Sequence, residues 1–93
     1  MIIMIVGGGY LSKKTKLRDR LLSKPRDFTF DEAAALLGQF GYYIERGVKT
    51  GGSRILFSNG DDYIRLHKPH PRNTLKPYQV LDIITALRER KLI

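Results

Sequence analysis

Apolar residues recur at helical spacing in two stretches of this chain and alternate at strand spacing further along. Ala33, Leu36, Leu37 and Phe40 stand at i, i+3, i+4 and i+7, and so do Val80, Ile83, Ile84 and Leu87. The first stripe follows Thr29 and Glu32, which are three residues apart as in a capping box, with Phe28 outside as a hydrophobic staple. Gly41 marks its end. Three consecutive alanines, 33 to 35, let this helix approach a sheet closely. The second stripe opens near Pro77, a residue tolerated in a first helical turn, and closes with Arg88, Arg90 and Lys91 on the favourable C-terminal side. A shorter helix is predicted over Thr15 to Pro25, with Leu17, Leu21 and Leu22 on one side and Pro25 as its stop.

Between the two stripes lie YYIERGV, GSRILFSN and DYIRLHK, three short runs rich in aromatic and β-branched residues and separated by glycine turns. Ile55 and Phe57 share one face of the second run, opposite Arg54 and Leu56. In the third, Ile64 and Leu66 oppose Tyr63, Arg65 and His67. NGDD, Asn59 to Asp62, reads as the hairpin turn between them. A mostly polar connection, PHPRNTLKP, follows and is stiffened by Pro69, Pro71 and Pro77. The expected fold is α+β in the order α-α-β-β-β-α: a three-stranded antiparallel sheet with helices packed on one face. Its expected core is Phe28, Leu36, Leu37, Phe40, Ile55, Phe57, Ile64, Leu66, Val80, Ile83, Ile84 and Leu87. The other sheet face is left to solvent, a partner or nucleic acid.

Length changes this picture little: 93 residues make one small domain, predicted over residues 15–93, behind a basic, flexible leader at residues 1–14. MIIMIV at the start is far short of the roughly 20 apolar residues that span a bilayer and lacks the flanks of a signal peptide, so the expected location is the cytoplasm. An extra edge strand, a homodimer contact and a poorly ordered leader all remain open for it. GGGYLSKKT is neither a Walker A motif nor a dinucleotide fingerprint. Ser12, Lys13 and Lys14 stand where the first needs a glycine before its Lys-Ser/Thr pair, and Ser12 takes the third glycine position of the second.

Charge changes the picture more. Seventeen Lys and Arg against nine acids give a formal charge of +8, which favours a polyanionic partner, RNA or DNA before an anionic membrane or an acidic protein. Lys49, Arg54, Arg65, Lys68, Arg72 and Lys76 cluster around the strands and the stiff connection, and as a set they make a phosphate-contacting stripe. Gly51, Gly52 and Ser53 either bring backbone N–H groups to an anion or simply turn the chain. With no cysteine, thiolate metal sites and disulfides are excluded. The two histidines, His67 and His70 in LHKPHP, lack further ligands in sequence, so neither a metal nor another cofactor is expected. An acid–base role suits them better. Ribonucleases that work without metal need a base for the ribose 2′-hydroxyl, an acid for the leaving 5′-oxygen and cations for the developing charge.

FTFDEAAALLGQFGYYIER, KTGGSRILF and YIRLHKPHPRNTLKPYQVLDIITAL together resemble the HicA family, messenger-RNA interferase toxins of bacterial and archaeal toxin–antitoxin pairs. The likeness runs from about Leu17 to Leu92. Gly52, Ser53 and Leu75-Lys76-Pro77 match family motifs. The resemblance implies a fold like that of double-stranded-RNA-binding domains, a metal-independent endoribonuclease activity and neutralisation by a HicB-type antitoxin. It also sharpens one position. Arg54 occupies the place of the family's usual catalytic histidine, and arginine stays charged at physiological pH, so it binds phosphate but is no ordinary base. The site expected from all this has Arg54, His67 and His70 as catalytic residues. Lys49, Gly52, Ser53, Arg65, Lys68, Arg72 and Lys76 make the RNA contacts. The alternatives are a catalytically inactive RNA-binding module or regulator and a domain that meets an acidic protein.

Overall fold

A computed structural model describes residues 15–45 and 54–93. In chain order the elements are α1 (residues 15–22), α2 (Phe30–Gln39), β1 (Tyr43–Ile44), β2 (Arg54–Ser58), β3 (Tyr63–His67) and α3 (Pro77–Glu89). This is the expected α+β order, and the sheet is antiparallel throughout in the order β1-β2-β3. Lys49, Gly51, Gly52 and Ser53 lie outside the described residues, as does the leader. Among the described residues, no helix is long and apolar enough to cross a membrane.

The start of α2 obeys the local rules in its sequence. The Thr29 hydroxyl accepts the Glu32 N–H at 3.1 Å, and the Glu32 carboxylate accepts the Thr29 N–H at 2.9 Å, closing both halves of the box. Phe28 and Ala33, the staple pair, are both fully buried. Arg20 ties the box to α1: its Nε donates to Glu32 at 2.8 Å, while its guanidinium lies 5.5 Å from the Phe28 ring centroid. At the other end Gly41 takes a φ of +86°, the left-handed conformation that a glycine adopts without strain. The NGDD turn is held from within. Asn59 Oδ1 accepts the N–H groups of Asp61 and Asp62 at 2.9 and 2.7 Å, and Ser58 Oγ accepts that of Gly60.

Leu21, Phe28, Phe30, Ala33, Leu36, Leu37, Tyr42, Phe57, Ile64, Leu66, Leu75, Val80, Ile83, Ile84 and Leu87 form one core between the helices and one face of the sheet. Phe40 and Ile55, expected in it, are only partly buried against its edge. Phe40 is the C-cap of α2, where the helix is already giving way to the turn. Phe30, at the other end of α2, is buried in the core and packs on Phe57 with ring centroids 6.0 Å apart. The polar connection also supplies a core residue, Leu75. Its N–H donates to the Phe28 carbonyl at 2.8 Å, and Phe30 N–H donates to the Asn73 carbonyl at 2.8 Å. The second bond satisfies one of the orphan donors at the α2 N-terminus.

At the far end of the sheet, Asp62 gathers three elements. It accepts from the Tyr42 hydroxyl at 2.7 Å and from the Arg90 guanidinium, which also donates to the Tyr63 carbonyl at 3.1 Å. Arg90 first, then Tyr42, holds the Asp62 carboxyl down from its usual 3.8 to about 2. A depressed folded-state pKa stabilises the fold above the unfolded value and loses that contribution as pH falls through the folded one. Stability in the parent should therefore decline between about pH 4 and pH 2. Asp62→Asn should make this decline shallower and lower the urea midpoint at pH 7, as denaturation curves across that window will show. Glu32, depressed by Arg20, keeps the slope from vanishing.

Candidate nucleic-acid interface

The outer face of the sheet is set by register. Arg54 pairs with His67, Leu56 with Arg65 and Ser58 with Tyr63. Glu45 N–H donates to the Leu56 carbonyl at 2.7 Å, so the backbone groups of residues 54, 56 and 58 turn toward β1. The three pairs with β3 are therefore of the non-hydrogen-bonded kind, in which Cα atoms stand about 4.5 Å apart and side chains lie closest. Arg54 and His67 emerge side by side on neighbouring strands, both exposed, with Arg65 one step along β3 on the same face.

His67 is anchored through its backbone. Its carbonyl points out of the sheet edge and accepts from Gln79 Nε2 at 2.9 Å, while Gln79 Oε1 accepts the Lys76 N–H, also at 2.9 Å. Gln79 is 4% exposed, a polar side chain buried because both of its ends are used. The first turn of α3 thus clamps the end of β3 and holds the strand that carries His67. The sequence carries a signal for this, since glutamine in the third position of a helix is a capping residue. Its reach to a strand carbonyl is a tertiary fact. Arg65, His67, Tyr78 and Asp82 line a groove of about 310 Å³ between β3 and α3.

The remaining expected residues sit elsewhere. Lys68 continues the inward alternation of Ile64 and Leu66, and its ammonium lies 5.8 Å from the Phe30 ring centroid on the helix side. His70 and Arg72 are exposed on the connection and, with Lys68, line a shallow hollow of about 410 Å³. Lys76 is exposed at the entry to α3. The expected stripe therefore divides into a sheet set, Arg54, Arg65 and His67, and a connection set, Lys68, His70, Arg72 and Lys76. Two exposed tyrosines that the charge pattern does not single out, Tyr43 and Tyr63, border the sheet set. Among the described residues, no group of three or more His, Cys, Asp or Glu is placed to hold a metal ion.

A guanidinium beside an imidazole on an open face can hold a phosphodiester and exchange a proton next to it. Comparison of the chain with protein-family models, curated proteins and solved structures finds no match.

Proposed function

We propose that this chain is a metal-independent endoribonuclease toxin of the HicA type, acting on messenger RNA in the cytoplasm and neutralised by a HicB-type antitoxin. The observation that carries the reading is the cross-strand Arg54–His67 pair on an exposed, basic sheet face. Arg54 grips the scissile phosphate and offsets the charge that grows on its oxygens. His67 accepts the proton of the ribose 2′-hydroxyl as that oxygen bonds to phosphorus. The phosphorus–O5′ bond breaks, its electron pair leaves with the 5′ oxygen, and that oxygen is protonated by solvent. The products are a 2′,3′-cyclic phosphate and a 5′-hydroxyl, with no atom demanded from a metal. The second reading, an RNA-binding module without cleavage, draws on the same face. Arginine stands where the family has its imidazole, leaving one histidine rather than two on the described strands.

The test is incubation of purified protein with messenger RNA in excess EDTA. Fragments with cyclic-phosphate ends are expected, and Arg54→Lys should cut roughly 10–10²-fold more slowly, because a point charge replaces a planar, two-toothed donor. Cleavage only when a divalent ion is restored overturns the mechanism. In cells, expression should arrest growth, and the product of an adjacent antitoxin-like reading frame should relieve the arrest.

A further inference from the structure

We infer that the outer sheet face takes unpaired RNA bases on Tyr63 and Tyr43, so that the substrate is single-stranded RNA running from this tyrosine row to the Arg54–His67 row. The inference rests on the RNA reading above and names the form of RNA that the site accepts.

The register builds the row. Tyr43 pairs with Ser58, and Ser58 with Tyr63, so one line across the three strands reads Tyr–Ser–Tyr. Ser58 is small, 8% exposed, and its hydroxyl is turned back onto the Gly60 N–H, which leaves a low floor between the rings. Tyr43 and Tyr63 are 65% and 50% exposed. The ring edge of Tyr43 comes within 3.3 Å of where a Cβ on Gly38 of α2 would sit, so this ring leans over the β1 edge toward the helices and is the lesser partner of Tyr63. An exposed aromatic ring on a strand is a stacking platform for a base.

Spacing and charge commit the face to nucleic acid. Side chains on one strand face repeat about every 6.6–6.8 Å, which puts His67 about 13 Å from Tyr63, a span of about two extended nucleotides. Arg65 lies midway on the same face, where an intervening phosphate passes, and Arg54 lies at the far end beside His67. In a duplex the base faces are hidden in the stack, and an A-form helix offers a protein only backbone, sugar hydroxyls and base edges. Tyrosine rings flanked by arginines have nothing to stack on there. An acidic protein would answer the arginines but not this combination of aromatic row and nucleotide-scale step.

The experiment uses the intact chain and a fluorescent 2′-O-methyl oligonucleotide, which lacks the attacking hydroxyl and cannot be cut. Anisotropy compares it single-stranded and annealed to its complement, at low and physiological salt. The single strand should bind more tightly. Tyr63→Ala should weaken single-strand binding by about 5–100-fold, Tyr63→Phe should restore it, and Tyr43→Ala should give a smaller loss, each with an unchanged circular dichroism spectrum. Equal binding by Tyr63→Ala and parent, or a duplex bound as tightly as the single strand, overturns the inference. If either result appears while natural RNA is still cut in EDTA, the ribonuclease reading stands without the stacking row. If the parent binds no oligonucleotide at low salt and binds only an acidic protein, both readings fall.

Discussion

His67→Ala should slow single-turnover RNA cleavage by about 10²–10⁴ while leaving RNA affinity nearly unchanged. The size follows from what the ring is asked to do. In the proposed mechanism, loss of the base leaves the 2′-hydroxyl to give its proton to water, while Arg54 and Arg65 remain to hold the phosphate. His67 is favoured over His70 on placement. It stands directly opposite Arg54 in the ladder, and Gln79 fixes the carbonyl of the same residue at 2.9 Å. His70 is exposed on the connection, beyond the end of the strand. His70→Ala should therefore cut at close to the parental rate, and the double variant should match His67→Ala. A double variant as fast as the parent removes imidazole from the mechanism. A parent that cuts no RNA offered to it leaves the binding-module reading in possession.

Phe57→Ala should cost about 3–5 kcal/mol of folding stability. Phe57 lies on the central strand, 1% exposed, paired with Ile64 on one side and Ile44 on the other. Its ring meets Phe30 from α2 at a tilt of 49°, so the truncation opens a void where sheet and helix layers meet. For a domain whose total stability lies in the range of about 5–15 kcal/mol, that is a large share. Guanidinium titration should show the midpoint falling with little change in slope. Phe40→Ala is the control: a partly buried residue at a helix end should lose much less. Equal losses at the two positions would contradict the layer assignment.

How much of this was legible follows from which forces are local. The α2 and α3 stripes, the capping box and the glycine after α2 are decided within a turn of helix, and they stand where their residues imply, save that the α2 stripe gives out at its last member, Phe40. The face of each strand is likewise a matter of alternation. Even the Arg54–His67 register is implicit in NGDD, because a four-residue turn between Ser58 and Tyr63 brings residues 54 and 67 opposite each other. Leu75 and Gln79 were hidden for the opposite reason. A leucine among prolines and cations carries no period, and a glutamine on an otherwise apolar stripe is buried only because two distant backbone groups meet it. Phe30, in the first turn, extends the α2 stripe back by one step, at i to Ala33 and Leu37, and meets Phe57 across the layers. Lys68 fell on the helix side because the strand's alternation runs on past its last residue. Charge alone cannot report that.

The seam between the connection and the head of α2 has a consequence for chain length. Phe30 and Asn73, and then Leu75 and Phe28, exchange backbone hydrogen bonds around the Thr29–Thr74 bridge. From residue 73 onward the chain is in register with a helix start more than forty positions earlier, and from residue 67 back it is in register with β2. Residues 69–72 are the slack between two fixed rulers. A relative of this protein could lengthen or shorten its chain at those four positions without shifting either ladder. One residue added at 73–75 would put Leu75 out of the core and uncouple Gln79 from the strand it holds.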